Sequence, residues 1–339
     1  MLCGAPPWAL TIGRVTSNKE FTWRPIDRGQ VRAWAELVAA TEAVDHQDEH
    51  LGEDELIEDF DDPDCDFLDG SIAAYDGALM VGWCVLSMRS AAEPAHDMGI
   101  FGAVHPAYRG RGIGSAILHW AEQAAAVLHE RRFPGRPLTL DGRCQARNEG
   151  AVALFEDHGY KPSRWFLRMS CPLTSELPAM QLPQGVEIIG YTPEQSQDAR
   201  LVRDDAFRDH WRSTENTDES WAHFIGFQAF RPAYSFLAYD TDSGEPLGVV
   251  LGHEYDSYTR VTGRLELYIP TVATRRIGRK RGIATALLMQ TMHAGKAAGF
   301  VSVTLDVDSD SQTGAVGLYE RAGFTVQDTW VTQTKQLIA

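Results

Sequence analysis

The chain has 339 residues, a formal net charge of −16 at pH 7, and ordinary fractions of apolar (44%) and charged (23%) residues. Because that length is more than one core usually holds, two compact domains are expected. The apolar residues form no run long enough to span a bilayer, and so acidic a balance argues against a nucleic-acid partner, whose phosphates need a basic face.

Most of the negative charge lies in one stretch. From Asp45 to Asp69 there are thirteen carboxylates and neither Lys nor Arg. A solvated helix and loop is the simpler interpretation, and steering of a cationic substrate is the alternative. The five scattered cysteines form no CxxC pair, which favours a reducing cytoplasm. Residues 1–20 lack the features of a signal peptide and are interpreted as a loose N-terminal arm.

Hydrophobic periodicity predicts the same order of elements in both halves. Each half has four strands with an intervening helical region, then a turn rich in glycine or basic residues, a helix, a fifth strand, a second helix and a closing strand. The first-half strands are predicted at 21–26, 72–75, 79–86, 98–104, 138–140 and 165–169, and its helices from Val31, from Ile113 and over 148–158. The second-half strands are predicted at 186–189, 235–240, 247–251, 265–273, 301–305 and near Trp330, and its helices from Ile283 and over 313–322.

Four segments of the first half recur in the second, in the same order and at offsets of 164 to 170 residues. The pairs are Ser71–Asp76 with Ser235–Asp240, Arg109–Gly114 with Arg279–Ala284, Thr139–Asp141 with Thr304–Asp306, and Ala151–Glu156 with Ala315–Glu320. Matches in register indicate an internal duplication of a domain of about 150 residues. We expect an arm at 1–20, domains at 21–172 and 186–339, and a linker at 173–185.

The repeated turn has the features of a phosphate-binding site. Gly110, Gly112 and Gly114 let the backbone approach a bulky ligand, and the helix that follows offers unsatisfied N–H groups to anionic oxygens. Arg109 and Arg111 add positive charge. A dinucleotide-binding fingerprint belongs to the first strand-helix-strand unit of its domain, whereas this turn follows four predicted strands. The turn also lacks the GK[ST] of a nucleoside triphosphate loop.

These residues resemble the GNAT N-acetyltransferase superfamily, whose signature is [Arg/Gln]-x-x-Gly-x-[Gly/Ala] after the fourth strand. Arg109-x-x-Gly112-x-Gly114 and Arg279-x-x-Gly282-x-Ala284 both match. The tandem layout is similar to that of mycothiol synthases and of acetyltransferases from actinobacterial antibiotic gene clusters. The resemblance implies an α/β (α+β) fold of two tandem GNAT domains, each with a mixed, splayed central sheet flanked by helices.

The resemblance also implies that acyl-CoA, most simply acetyl-CoA, binds where the sheet splays. Pantetheine would pair with Ala103 and Val104, or with Ala273 and Thr274, and Asn148 stands where the family often contacts it. Pyrophosphate would lie on the amides of residues 110–115 and 280–285. The expected cofactor residues of the two turns are Arg109, Gly110, Arg111, Gly112, Ile113, Gly114 and Ser115, and Arg279, Lys280, Arg281, Gly282, Ile283, Ala284 and Thr285.

The family reaction is direct attack of an amine on the thioester, which needs a base, an N–H aimed at the oxyanion, and an acid for the leaving thiolate. The family places a tyrosine acid in the late helix, where the second half has Tyr319 and the first has Phe155. Glu266, on the predicted fourth strand, is the candidate base. Three residues of the second half depart from the family pattern for binding CoA: Ala284 ends the turn, Gln312 replaces the Asn, and Pro270 lies within the strand.

The sequence therefore predicts that domain 2 transfers an acyl group to a small amine while domain 1 holds acetyl-CoA structurally. A non-catalytic acyl-CoA-binding scaffold or sensor is the alternative. We expect no metal, no nucleic-acid partner, no membrane association, a cytoplasmic location, and a monomer or homodimer. His253, Glu254 and the segment Asp209-His210-Trp211 could line the acceptor site, but surface placement is the simpler expectation for each.

Overall fold

The computed structural model describes residues 21–174, 176–208, 210–311 and 313–339. The predicted arm at 1–20, Cys3, Asp209 and Gln312 lie outside these residues. The chain forms two compact units. The first comprises the described residues up to Ser163 together with Val331–Ala339, and the second is Arg164–Trp330.

The first unit has a sheet with helices on its faces. Its sheet order is β1-β2-β3-β4-β5, followed by the C-terminal part of the last strand of the chain, β12 (Thr325–Ile338). The strands are β1 (Thr22–Arg24), β2 (Ser71–Asp76), β3 (Leu79–Ala92), β4 (His96–Val104) and β5 (Leu138–Gln145). The helices are α1 (Val31–Asp45), α2 (Glu53–Glu58), α3 (Ile113–Arg132) and α4 (Glu149–Asp157).

The second unit repeats this arrangement in the sheet order β6-β11-β10-β9-β8-β7. Its strands are β6 (Lys161–Pro172), β7 (Val186–Gly190), β8 (Phe236–Asp240), β9 (Pro246–His253), β10 (Glu266–Thr274), β11 (Ser302–Asp308) and β12 (Thr325–Ile338). The helices are α5 (Ser196–Phe207), α6 (Asp218–Gly226), α7 (Asp256–Thr262), α8 (Ile283–Ala297) and α9 (Ala315–Arg321).

Each sheet is mixed and splayed, as predicted. β4 pairs with β5 in parallel only as far as Ile100↔Gly142, although both strands continue. β10 pairs with β11 in parallel only as far as Tyr268↔Thr304. We call each point of separation a fork. The other strand pairs with a recorded register are antiparallel, so the predicted fold class is confirmed.

The two closing strands run from one unit into the other. β6 follows the first half in sequence, but its residues from Arg164 belong to the second unit, where Phe166–Pro172 pairs antiparallel with β11. The last residues of β12, Val331–Ile338, belong to the first unit. The predicted boundaries at 172 and 186 stay a prediction, because compactness does not test which segments fold independently.

The acidic stretch is largely part of local structure. The Asp66 carboxylate accepts hydrogen bonds from the N–H groups of Leu68 and Asp69, and Glu55 accepts one from Gly52 at the start of α2. Burial, together with Asp62 and Glu58, raises the pKa of Asp59 to about 7. The four described cysteines are free, and no helix within the described ranges is long and apolar enough to cross a membrane.

The same close contact fixes the long helix of each unit on its sheet. A Cβ added at Gly82 of β3 would lie 2.7 Å from Ile113 Cγ2, and one added at Gly248 of β9 would lie 2.7 Å from Ile283 Cγ2. Ile113 and Ile283 are the first residues of α3 and α8. A glycine in the facing strand therefore sets how closely each helix start approaches the sheet.

Gly248→Ala should lower the free energy of unfolding of the second unit by about 1–3 kcal/mol, because the added methyl must displace two buried side chains of α8. Urea denaturation measures this change. Gly190→Ala is the matched control, since an added Cβ there meets nothing within 4 Å. Equal midpoints for the two variants would show that the contact does not constrain α8.

A buried histidine pair lies at the start of β4. His96 Nδ1 and His129 Nδ1 are 2.9 Å apart, so one must donate to the other, and His129 Nε2 lies 2.8 Å from the Arg136 carbonyl oxygen. Both side chains are fully buried. Burial, followed by the charges of His129 and Arg132, lowers the pKa of His96 from 6.5 to about 4. His96 is therefore neutral in the folded protein at neutral pH.

This shift predicts acid sensitivity of the first unit. An unfolded His96 takes up its proton near pH 6.5 and a folded one only near pH 4, so stability present above pH 6.5 is lost as the pH falls through that window. We expect a loss of about 1–3 kcal/mol, read as a falling urea midpoint of the first unit. His96→Asn should flatten the decline. An undiminished decline in that variant would assign the acid sensitivity to other groups.

Candidate active site

The two repeated turns have the same backbone. Gly112 and Gly282 are the N-caps of α3 and α8, with φ/ψ of 83°/0° and 81°/7°. Two residues earlier, Gly110 and Lys280 are also left-handed, with φ of 73° and 64°. Glycine adopts this region without strain, whereas Lys280 does not. The second turn therefore keeps the shape of the first despite its missing glycine.

Neither helix start is capped by a side chain. The first four N–H groups of a helix lack acceptors within the helix, and together with the helix dipole they attract anionic oxygens. The structure places the predicted ranges 110–115 and 280–285 on the turn and the first helical turn of each unit. Both starts thus fit a diphosphate group such as that of CoA.

The arginines of the turns are engaged within the protein. The Arg109 guanidinium donates to both Asp45 carboxylate oxygens, at 2.8 and 2.6 Å, and Arg111 lies 4.8 Å from the centre of the Tyr108 ring. In the second unit Arg281 donates to Asp240 at 3.0 Å. These side chains hold the turns in place, so the backbone N–H groups are the donors that fit a phosphate.

The fork of the second unit contains a β-bulge. The pairing of β10 with β9 shifts register between Tyr268 and Thr271, so the bulge contains Pro270. Proline is tolerated at bulges, and β10 therefore continues through the residue that the sequence marked as an interruption. Ala273 and Thr274 pair with β9 on one side and lie beyond the last pair with β11 on the other.

The first unit has the same open edge. Ala103 and Val104 pair with β3, at Trp83 and Gly82, and lie beyond the last pair between β4 and β5. Each predicted pantetheine segment is thus a strand edge exposed by a fork. Asn148 has a structural task as the N-cap of α4, because its Oδ1 accepts from the Ala151 N–H at 3.1 Å. Its contact with pantetheine stays a prediction.

Tyr319 is buried beside the second fork. It is 7% exposed and belongs to the same core cluster as Ile269 of β10 and Leu305 of β11. Burial raises the pKa of its hydroxyl, which therefore stays protonated. No residue in the described part of the chain accepts a hydrogen bond from that hydroxyl. The ring is buried, but the hydroxyl oxygen itself is not sealed from solvent, so it can meet a bound group and give its proton to it.

Glu266 is the first residue of β10. Its carboxylate accepts hydrogen bonds from Ser302 Oγ at 2.7 Å and Thr304 Oγ1 at 3.0 Å, and its side chain is 9% exposed. Among the described residues the one cation within 4 Å is Arg264, at 3.6 Å and half exposed. Glu266 is therefore an oriented carboxylate whose charge is only weakly offset.

The first unit has different residues at both positions. β4 and β10 are equally long, and β4 begins with His96 where β10 begins with Glu266. Phe155 stands in α4 where Tyr319 stands in α9, and its ring is so close to Gly142 that a Cβ there would lie 2.1 Å from Cζ. The first fork thus has neither a carboxylate at the position of Glu266 nor a hydroxyl at the position of Tyr319.

The end of the first helix also differs between the units. In the first unit the His46 carbonyl oxygen, just beyond α1, accepts from Gln145 Nε2 at 3.2 Å and Arg147 Nη2 at 2.7 Å. These bonds tie α1 to the segment after β5. In the second unit the equivalent segments line a cavity of about 150 Å³. Its lining residues are Arg164, Ala206, His210, Trp211, Asp308, Ser311 and Thr313.

His210 and Trp211 therefore line a cavity rather than lying free on the surface. His253 is also buried, at 4% exposure, among the rings of Phe224 and Phe230, and burial lowers its pKa to about 4. Arg164 and Asp308 were not predicted as cavity residues, because they lie in different halves of the chain and only the fold brings them together.

Comparison with known proteins agrees with this geometry. Residues 201–324 match the acetyltransferase (GNAT) family and residues 69–162 match an acetyltransferase (GNAT) domain. A mycothiol acetyltransferase of Thermobispora bispora is 31% identical over 74% of this chain and 78% of its own length. A GCN5-related N-acetyltransferase from Sphaerobacter thermophilus has a TM-score of 0.77 at 26% identity, covering 96% of this chain and 98% of that one.

A tandem GNAT protein from the clavulanic acid biosynthesis pathway shares the fold, with a TM-score of 0.70 at 16% identity, covering 94% of this chain and 99% of that protein. Two separate domain matches, two forks and two uncapped helix starts are thus found in one chain. These features fit an acyl-CoA, which is the acyl donor that this family uses. The chain belongs to the GNAT family of acetyltransferases and carries two of its domains in tandem.

Proposed function

We propose that the second unit transfers an acetyl group from acetyl-CoA to the primary amine of a small molecule. The observation that carries this proposal is the asymmetry at the forks, where Glu266 and Tyr319 of the second unit are replaced by His96 and Phe155 in the first. The cavity beside the second fork gives an acceptor a place to bind.

Each catalytic task has a candidate group. Acetyl-CoA supplies the activated acetyl group as a thioester. Glu266 takes a proton from the acceptor's ammonium, so that the amine nitrogen can form the new C–N bond. Backbone N–H groups of β10 beyond Tyr268 face the place where negative charge develops on the carbonyl oxygen. Tyr319 gives its proton to the sulfur as the C–S bond breaks, and its raised pKa keeps that proton in place until then. The second proton that the nitrogen loses once the C–N bond has formed restores the Tyr319 hydroxyl.

The first unit, in this proposal, holds acetyl-CoA without turning it over. Its turn has the uncapped helix start that a diphosphate needs. Its Phe155 has no proton to give, and the bonds from Gln145 and Arg147 to the His46 carbonyl close the side from which an acceptor would approach.

The mycothiol acetyltransferase relatives suggest where to search for the acceptor. We propose testing the amine that those enzymes acetylate together with a panel of L-cysteine, glucosamine, spermidine and tyramine, with thiol release from acetyl-CoA as the readout. The cytoplasmic location, the absence of a nucleic-acid partner and the monomeric or homodimeric state stay predictions.

Tyr319→Phe should lower kcat on the order of 10²–10⁴-fold, the usual range for a positioned acid, because it removes one hydroxyl and little packing. Acetyl-CoA affinity and melting temperature should hardly change. Glu266→Gln should lower the rate more at neutral pH than at high pH, where the amine is already deprotonated. Thiol release across this pH range measures both effects.

Phe155→Tyr is the matched control, with its melting temperature measured as well because the new hydroxyl extends from Cζ, the ring atom that packs against Gly142. It places the missing hydroxyl in the first unit, but His96 and the closed acceptor side remain, so no new activity is expected. A Tyr319→Phe protein that turns over at the full rate would contradict the proposed mechanism and favour a non-catalytic acyl-CoA-binding role.

Gly112→Glu should remove acetyl-CoA from the first unit, because it places bulk and negative charge at a left-handed position that the diphosphate approaches. We expect one fewer bound acetyl-CoA by native mass spectrometry and a lower melting temperature, while turnover persists. Gly282→Glu is the counterpart in the second unit and should abolish turnover. If Gly112→Glu abolished turnover and Gly282→Glu did not, the roles of the two units would be reversed.

A further inference from the structure

Arg168, Asp306 and Tyr268 form a connected group beside the fork of the second unit. Arg168 Nε donates to Asp306 Oδ1 at 2.9 Å and its Nη2 donates to Oδ2 at 3.0 Å, while the Tyr268 hydroxyl donates to the same Oδ2 at 3.3 Å. The Arg168 and Asp306 side chains are 13% and 15% exposed. The group joins β6, β11 and β10 where the last two strands begin to separate.

Three carboxylates follow one another along this face of the sheet. Thr304, Asp306 and Asp308 stand at alternate positions of β11, and alternate residues of a strand share a face. Thr304 donates to Glu266, which places the Glu266 carboxylate on this face as well. Asp308 accepts from Arg164 Nε at 2.9 Å, and its side chain is 2% exposed. The charges of Asp306 and Asp308 are thus each offset by an arginine of β6.

The charged and titratable groups around Glu266 offset its charge less than the β6 arginines offset the charges of Asp306 and Asp308. Tyr258 of α7 donates to it at 3.5 Å, and Arg264 is half exposed at 3.6 Å. His253 of β9 lies opposite Tyr268 and is kept neutral by burial. Glu266 therefore holds the most weakly compensated negative charge on this face.

We propose that Arg168 and Asp306 are positioning residues for the transfer reaction. Asp306 holds the Tyr268 hydroxyl at the fork, and Arg168 cancels the charge of Asp306, so that Glu266 alone presents a net negative charge to the acceptor's ammonium. This inference rests on the proposed function of the second unit. The first unit has Met98 at the place of Tyr268, counted from the start of each fourth strand.

The arrangement has a consequence in the pH profile. Removing the charge of Arg168 takes away the cation that pairs with Asp306, so the negative charge of Asp306 acts more strongly on Glu266, and a like charge favours the protonated form of a carboxyl group. Asp306 lies two residues along β11 from Thr304, which donates to Glu266, so the acid limb of kcat/KM should move up by about 0.5–1 pH unit. The pKa of the free acceptor amine is the same for every variant and does not contribute to this movement.

The test measures acetyl-CoA thiol release against pH, with the best acceptor of the amine panel, for three variants. Arg168→Gln should shift the acid limb upward and lower kcat/KM. Arg168→Lys keeps the charge and loses the two-pronged contact, so the limb should stay in place while the rate falls. Arg168→Gln combined with Asp306→Asn removes both charges and should return the limb to its wild-type position, with a melting temperature that verifies folding.

An unmoved limb in Arg168→Gln, or a shifted limb that the added Asp306→Asn does not restore, would overturn this inference while leaving the proposed function intact. Absence of thiol release by the wild-type protein with every amine would instead overturn the proposed function, and this inference with it. A purely structural role for the pair would lower the rate of Arg168→Gln without moving the limb.

Discussion

The separation of β10 from β11 after Tyr268 is the constraint on which the rest of the second unit depends. Strands that stay paired leave no room for a ligand between them, whereas strands that separate expose two backbone edges with unmet hydrogen-bonding groups. A bulge at Pro270 turns β10 at this point, and the Tyr268–Asp306–Arg168 group joins the strands just before they diverge. In the proposed mechanism, Glu266 and Tyr319 act on the ligand that this fork admits.

The duplication preserved this backbone in both units and varied the side chains around it. Lys280 shows how strongly the backbone is kept, since it adopts the left-handed conformation that Gly110 adopts in the first turn. The chemistry is less well kept. The Phe155 ring packs against Tyr160 in the first unit, and the Tyr319 ring packs against Phe324 in the second. The residue that carries the hydroxyl is therefore the second of the pair in the first unit and the first of the pair in the second unit. A shared fold therefore does not imply a shared role for the two units.

The sequence was sufficient to predict the features that occur in both halves of the chain. The turns from Arg109 and Arg279, the helices that follow them and the mixed sheets are all found, because glycine positions and hydrophobic periodicity report local structure directly. The destinations of β6 and β12 were not predictable. Both are ordinary closing strands in sequence, and only tertiary pairing decides which sheet edge each one joins.

Side-chain partners were harder to predict for the same reason. His253 was expected at the surface and is buried, because it is surrounded by Phe224 of α6 and by Phe227 and Phe230 just beyond it, a segment for which no element was predicted. Asp45 belongs to a run that looked like solvated charge, yet it holds Arg109 of the phosphate-binding turn. Arg164 and Arg168 are far from Asp308 and Asp306 in the chain, so no spacing could pair them.

If two similar sites bind acetyl-CoA, only one of them reacts in the proposed mechanism. A single-turnover experiment tests it most directly: the protein is loaded with two equivalents of acetyl-labelled CoA, freed of excess ligand and mixed with an accepted amine. We expect that one acetyl group per chain is transferred rapidly and that the other stays bound as acetyl-CoA. Rapid transfer of both acetyl groups, or of neither, would contradict it.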